Sequence, residues 1–315
     1  MKRTNPKIET ILVSGNDKMA VSITVCLLKA GYKVFLYTDD KEEALKSIQQ
    51  HASDIASISS VALDLVYLEI GTELEKRDYS WAIAITEEDL NGKMYAIREI
   101  ERAIPDAALI AINTETIPLT DIQNGSRHPE RILGANWVEP AHTTYFLEVI
   151  TNSVNRHELV MDFCSAARQH LQKDPYIVKS GCGSRAKVMG ALIREAFYLV
   201  ENGYVTFEDV DRACRNDAGY YLPFAGNFRY MDLMGTYIYG LVMKEMNPDL
   251  SKERYLPGFF KDIVAGGGEG MKNLKGFYEY KNGDVEEWNK LSRTFSYQVN
   301  KIISKYPFNY LEEDL

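Results

Sequence analysis

The chain has 315 residues, 45% hydrophobic and 26% charged, the makeup of a globular protein long enough for about two domains of ~150 residues each. A formal charge of −9, from 36 Lys and Arg against 45 Asp and Glu, provides no global field to draw in nucleic acid or anionic lipid, so an anionic ligand needs a local basic patch. The polar, basic start at residues 1–7 is followed by only the short run Ile11-Leu12-Val13, and no stretch reaches ~18 apolar residues, which argues against secretion and against a membrane partner.

In chain order, β-rich runs at 10–14, 33–37, 81–86, 108–113 and 132–137 are predicted as strands. Between the first two, Met19, Ile23, Cys26, Leu27 and Ala30 recur at helical spacing and Gly31 follows as a stop, which makes a βαβ unit. Helical runs at 42–73 and 91–103 precede later strands, so the economical architecture is a mostly parallel sheet covered on both faces. From Gly181 the pattern changes to long helices, at 186–202, 205–215, 230–246 and 286–305, with no comparable strand signal. The glycine-rich run 265–270 reads as a surface loop, because no strand precedes it to build a phosphate cradle. The fold class is therefore α/β followed by all-α, divided as 1–179 and 180–315. Four cysteines, Cys26, Cys164, Cys182 and Cys214, lie far apart without C-x-x-C spacing, which suits reduced thiols in a cytoplasmic protein and neither a disulfide frame nor a metal site.

In a dinucleotide-binding unit, G-x-G-x-x-G follows the first strand so that amides at a helix N-terminus approach the pyrophosphate without an intervening Cβ. The corresponding run is Gly15-Asn16-Asp17-Lys18-Met19-Ala20. Gly15 keeps the first position, Ala20 is a tolerable third, Met19 lies between, and Asp17 replaces the middle glycine. A carboxylate ~4 Å from a phosphate costs about 1 kcal/mol in bulk water and ~4 kcal/mol at an effective dielectric of 20. The acidic residue that accepts from the ribose hydroxyls is Asp39, although an ungapped count puts Thr38 there, and Asp39-Asp40 also reads as a plain polar connection.

Several separated stretches resemble the 3-hydroxyacyl-CoA dehydrogenase family over nearly the whole chain. LLKAGYKVFLY at 27–37, WAIAITEEDLNGK at 81–93, ALIAINTETIP at 108–118 and the closing GMKNLKGFYEY at 270–280 follow the family's order and spacing. The resemblance implies a Rossmann-type dinucleotide-binding domain with NAD as cofactor, then an all-α domain that pairs with a second copy as a homodimer, in fatty acid metabolism. By matching position, Glu88, Lys93 and Asn113 are retained as cofactor contacts.

The chemistry-bearing positions agree only in part. The family's catalytic histidine lies in G-x-H-F-F-N-P; here the run is Gly134-Ala135-Asn136-Trp137-Val138-Glu139-Pro140, so Asn136 takes its place and an amide cannot remove a proton. The carboxylate that orients that histidine in the family is present as Glu148. The family's hydroxyl-bearing residue after Asn-Thr is Glu115, and its asparagine on the first C-terminal helix is Lys187.

Two other residues are candidate bases. His142 has an ordinary pKa of ~6.5, well suited to an alcohol proton, but also reads as a histidine on a surface turn. Lys187 closes the run Gly181-Cys182-Gly183-Ser184-Arg185-Ala186-Lys187, which is similar to the G-x-G-x-x-x-K of β-hydroxyacid dehydrogenases, where this lysine is the acid/base; Ala191 replaces their later asparagine. Lys187 must be depressed toward neutrality to act, with Arg185 contributing, and an ion pair with Glu115 or Glu148 would oppose that. Tyr220, Tyr221, Tyr278 and Tyr280 read as core or interface aromatics.

The leading reading is an NAD(H)-dependent oxidoreductase interconverting a 3-hydroxy and a 3-oxo acid derivative, whose small-molecule substrate is the free acid or its CoA thioester. The absence of Lys and Arg from 51–70 favours a smaller acid than a CoA ester. The alternative is a catalytically silent binding or scaffold protein that kept the fold, favoured by Asp17 and Asn136. On the first reading, Asn136, Glu115, Glu148, His142 and Lys187 line one cleft.

Overall fold

Ile11, Leu12 and Val13 are fully buried at the centre of β1 (Thr10–Ser14), as expected of a strand covered on both faces. In this computed structural model residues 9–58, 62–179, 181–306 and 308 are described, and the polar start at 1–7 lies outside them. α1 (Lys18–Lys29) buries a continuous run from Ala20 to Leu28 and is closed by Gly31 at φ +89°, a left-handed value that favours glycine. β2 (Lys33–Tyr37) and α2 (Lys41–Ile58) follow.

The helix predicted over 42–73 stops at Ile58. The later part of that stretch is instead a 3-10 turn at Leu65–Tyr67 and an edge strand, β3 (Leu68–Gly71), paired in parallel with β2. Leu68 and Ile70 alternate with Glu69, whose carboxylate meets Arg77 at 2.5 Å on the exposed side; this short period-2 signal was masked by the helical run before it. Then come β4 (Trp81–Ala84), α3 (Leu90–Ala103), β5 (Leu109–Ile112), the short α4 (Leu119–Gln123) and β6 (Ile132–Trp137). Every residue of β4, β5 and β6 is buried.

Three further elements complete the sheet layer: β7 (Phe146–Ile150), α5 (His157–His170) and β8 (Asp174–Val178). Neither β7 nor β8 was predicted, since β7 carries Glu148 at its centre and β8 opens on Asp-Pro, both poor strand signals. The strand order is β3-β2-β1-β4-β5-β6-β7-β8, parallel throughout except between β6 and β7. The chain winds outward from β1 to β3 on one side and from β4 to β6 on the other, so a crevice opens where the order reverses, at the carboxyl ends of β1 and β4.

The remaining helices are α6 (Arg185–Glu201), α7 (Phe207–Ala213), α8 (Gly219–Met234), α9 (Thr236–Met246), α10 (Gly258–Ala265) and α11 (Asp284–Ile303). α7 starts on a capping box between Thr206 and Asp209 and runs into a π turn at Cys214–Ala218. The helix predicted over 230–246 is broken at Gly235, which adopts φ +112°. α10 carries no prediction. Of the run 265–270, Ala265 closes α10 and 266–270 form a loop, tied by the Asn273 side chain to the Glu269 amide and the Gly267 carbonyl.

The chain divides into two compact units, Met1–Ala186 and Lys187–Leu315. The second is helical and centred on Phe197, Phe207, Phe259, Phe260 and Phe277, with Phe260 stacked on Phe277 at 5.7 Å. Within it Tyr278 donates to Asp211 at 2.6 Å and Tyr221 stacks on Tyr230 at 3.9 Å.

Candidate active site

The crevice at the carboxyl ends of β1, β2 and β4 holds a cavity of about 710 Å³ bordered by Gly15, Asn16, Asp17, Asp39 and Ile85. At Gly15 an added Cβ would lie 2.9 Å from both Ala20 Cβ and the Ile85 carbonyl oxygen, so this turn requires glycine and a small residue at 20. Asp17 caps α1, accepting from the Ala20 amide at 2.9 Å. Its carboxylate therefore takes one of the amides a helix N-terminus would offer to phosphate.

Asn16 ties the turn to the end of β2. Its side-chain oxygen accepts from the Asp39 amide at 2.8 Å and the Thr38 hydroxyl at 3.1 Å, and its Nδ2 donates to Asp39 Oδ2 at 2.6 Å. Thr38 is buried, whereas Asp39 faces the cavity. The cavity's charged residues, Asp17, Asp39, Glu87, Asp89 and Glu99, are all acidic. These residues fit the adenosine end of a dinucleotide without a second phosphate: the close turn at Gly15 borders the cavity, and Asp39 lines it as a hydroxyl acceptor.

At the ends of β4 and β5, Asn113 stitches the strands, accepting from the Thr86 amide at 2.9 Å and donating to its carbonyl at 2.8 Å. Lys93 is fully buried and meets Glu88 Oε2 at 3.1 Å and the Asn113 carbonyl at 2.8 Å. Burial pushes the Lys93 pKa down, partly opposed by Glu88. Glu88 Oε1 accepts from the amides of Glu115, Thr116 and Ile117 at 2.7–3.1 Å. Burial acts to raise Glu88, but the Thr116 and Ile117 amides and the Lys93 ammonium outweigh it and hold its pKa at about 2.

Asn136 on β6 lies directly opposite Glu148 on β7. Asn136 Nδ2 donates to Glu148 Oε2 at 3.0 Å and to the Thr114 carbonyl at 2.8 Å, while its Oδ1 accepts from the Thr114 amide at 2.9 Å. Glu148, also fully buried, accepts on Oε1 from Tyr176 Oη at 2.9 Å, Ser184 Oγ at 2.7 Å, and the amides of Ser184 and Arg185 at 2.8 and 3.1 Å. Burial works against the charged form of Glu148, but these donors and Asn136 lower its pKa overall. Burial, together with the Glu148 charge, raises the Tyr176 phenol to about 12. A carboxylate so fully engaged is an anchor for the 181–185 segment.

Arg185 Nη1 donates to Glu115 Oε1 at 2.8 Å, and its guanidinium lies 5.8 Å from the centre of the Phe146 ring. The other carboxylate oxygen of Glu115, Oε2, is buried and has no hydrogen-bond partner among the described residues. Asn136, Glu148 and Glu115 are thus brought together with Arg185, Ser184 and Tyr176. His142 goes elsewhere and is not on a surface turn. It is buried, its ring 4.8 Å from His51 of α2, with the neighbouring Ala141 amide donating to Ser22 of α1. Burial first, then the charges of His51, Lys29 and Lys173, depress its pKa to about 3. Lys187 is exposed and opens the second unit.

Sequence reasoning missed the roles of Asn16, Tyr176, Gly183 and Ser184. Gly183 had a signal, the G-x-G run: a Cβ there would lie 2.9 Å from Glu148 Oε2 and 3.3 Å from Asn136 Nδ2. Tyr176 had none.

A doubly wound domain with a crevice of about 710 Å³ at its switch point, followed by a helical unit, is the architecture of a dinucleotide-binding protein. Residues 10–181 match the family model described as 3-hydroxyacyl-CoA dehydrogenase, NAD binding domain, and residues 185–280 match that of its C-terminal domain. The chain belongs to the 3-hydroxyacyl-CoA dehydrogenase family, and its first domain is an NAD-binding domain. It is 25% identical over 287 residues to 5-formyl-3-hydroxy-2-methylpyridine 4-carboxylate 5-dehydrogenase of Mesorhizobium japonicum, covering 87% of this chain and 91% of that one. It is 23% identical over 286 residues to a probable 3-hydroxybutyryl-CoA dehydrogenase of Bacillus subtilis, covering 87% and 98%. A crystal structure of a 5-formyl-3-hydroxy-2-methylpyridine 4-carboxylic acid 5-dehydrogenase, described as an NAD+ dependent dismutase, superposes with a TM-score of 0.87 at 23% identity, covering 95% and 100%.

Proposed function

We propose that this NAD(H)-dependent oxidoreductase interconverts a small 3-hydroxy acid derivative and its 3-oxo form with Glu115 as the proton carrier. The observation that carries this reading is the Glu115 side chain, one-third exposed at 33%, with Oε1 held by Arg185 and Oε2 without a hydrogen-bond partner among the described residues. Asn136 supports it from the other side: its amide is committed to Thr114 and Glu148 and has no basic atom to offer.

Bound NAD supplies the hydride acceptor. Asp39, with Asn16 holding it, binds the adenosine ribose, and Glu88, Lys93 and Asn113 shape the wall at the ends of β4 and β5. Glu115 Oε2 takes the substrate hydroxyl proton as the carbonyl forms and returns it in the reverse direction. Arg185 holds Glu115 through Oε1, so the free oxygen keeps one orientation. Glu148 anchors Ser184 and Arg185 and thereby positions the guanidinium.

Glu115→Gln is expected to lower turnover by about 10²–10⁴-fold, the usual value of a positioned acid/base, with NADH binding unchanged. Turnover at the wild-type rate would remove Glu115 from the chemistry.

The helical unit exposes Tyr220, Phe228, Leu233, Tyr237, Ile238 and Leu241, which supports a homodimer through that unit. No disulfide links any of the four cysteines among the described residues, which supports a reducing, cytoplasmic setting. No described helix is long and apolar enough to cross a membrane.

A further inference from the structure

We propose that Arg185 is a carboxylate anchor, so that the substrate is a free short hydroxy acid and not its CoA thioester. The inference rests on the reading above for the fate of the hydroxyl, but the anchor itself is a binding claim.

The Arg185 guanidinium is placed by three constraints within one unit. Its own amide is held by Glu148, Glu115 takes Nη1, and the Phe146 ring lies beneath it. A guanidinium presents five N–H donors in a rigid fork, and among the described residues the ion pair with Glu115 engages Nη1 alone. The pair is partly open, with 38% of the Arg185 side chain and 33% of the Glu115 side chain exposed. An ion pair this exposed contributes little to stability, so stability alone is a weak reason to hold it over the Asn136–Glu148 pair.

The charge balance supports the same conclusion. Lys93 is fully buried and committed to Glu88, Thr86 and Asn113, whereas the Arg185 guanidinium keeps donors to spare. A carboxylate on the remaining edge of the fork would form charge-assisted hydrogen bonds while a hydroxyl two carbons away meets Glu115 Oε2. That is the spacing of a 3-hydroxy acid. A thioester carbonyl carries no charge to match, and residues 51–70 contain no Lys or Arg to receive the phosphates of CoA.

The test is calorimetric titration of the full chain saturated with NADH, using 3-hydroxybutyrate, its methyl ester and 3-hydroxybutyryl-CoA. With both partners reduced, no turnover disturbs the heats. The wild type is expected to bind the acid about 10- to 100-fold more tightly than the ester, the range for hydrogen bonds to a charged group. Arg185→Gln should erase that preference and Arg185→Lys should keep part of it, with unchanged thermal midpoints for both. Equal binding of acid and ester, a preference that survives in Arg185→Gln, tighter binding of the CoA thioester, or no binding of the acid would each overturn the anchor. Acid preference without turnover on NAD+ would sustain the anchor and sink the oxidoreductase chemistry; turnover without acid preference would do the reverse.

Discussion

Asn136 Nδ2 and Glu148 Oε2 face each other at 3.0 Å across the antiparallel pair of β6 and β7. The amide set against this carboxylate also brackets both backbone groups of Thr114. The pair therefore joins β7 to the turn after β5 that carries Glu115. Its consequences reach the 181–185 segment, because the second oxygen of Glu148 collects that segment's amides.

Gly183→Ala is expected to destabilise the protein by about 1–3 kcal/mol, the usual cost of overpacking, measured by urea denaturation. The new methyl would meet Glu148 Oε2 at 2.9 Å, and that carboxylate is held by donors on every side. Gly190→Ala makes the control, since a Cβ there meets nothing within 4 Å. Equal midpoints for the two variants would show that the 181–185 segment does not press on Glu148.

Acid should unfold the protein in two overlapping stages. His142 has a folded pKa depressed to about 3 by burial, against an ordinary value of 6.5, so the unfolded chain binds the proton first. Its contribution is fully present above pH 6.5 and is lost as pH falls toward 3. Glu88, held at about 2 against 4.5, contributes above pH 4.5 and is lost as pH falls toward 2. His142→Leu should flatten the loss between pH 6.5 and 4.5, read by denaturant titration at each pH, and leave the lower limb in place. An unchanged upper limb would mean that another group titrates there.

Much of the fold was legible because its signals are local. Five strands, the α1 periodicity and the helical character of the second unit follow from hydrophobic spacing alone. β7 and β8 were not legible, because β7 places a charged residue in the middle of a buried strand and only tertiary donors make that tolerable. The site was legible by position and not by partner. Glu115, Asn136 and Glu148 come together, but nothing in the spacing says that Arg185 bonds Glu115 or that His142 packs on His51. Those contacts join residues 70 and 91 positions apart, and no periodicity spans such distances.

Asp17→Asn should tighten NADH binding, most at low ionic strength. Asparagine caps a helix about as well as aspartate, so the substitution removes charge and keeps the cap. The gain is expected to be about 1 kcal/mol, the size of one unscreened contact near ~4 Å in water. NADPH should bind far more weakly than NADH to both proteins, since Asp39 and its acidic neighbours would face the added phosphate. Unchanged NADH affinity in Asp17→Asn, across salt concentrations, would place the pyrophosphate away from this turn.

Lys187→Met removes the other candidate proton carrier while keeping its stem. It should leave the chemical step of oxidation within a few-fold of wild type, measured in a single turnover at saturating NAD+. Loss comparable to that of Glu115→Gln would transfer the acid/base role to the lysine.

The proton carrier's position is tested most directly by single-turnover NADH formation in four proteins: wild type, Glu115→Gln, Asn136→His and the double variant, each given 3-hydroxybutyrate and its CoA thioester. If Glu115 carries the proton, Glu115→Gln is slowed by about 10²–10⁴-fold and the double variant regains part of that loss, because a histidine at 136 meets Glu148 as its orienting partner. Glu115→Gln forming NADH at the wild-type rate would contradict the account.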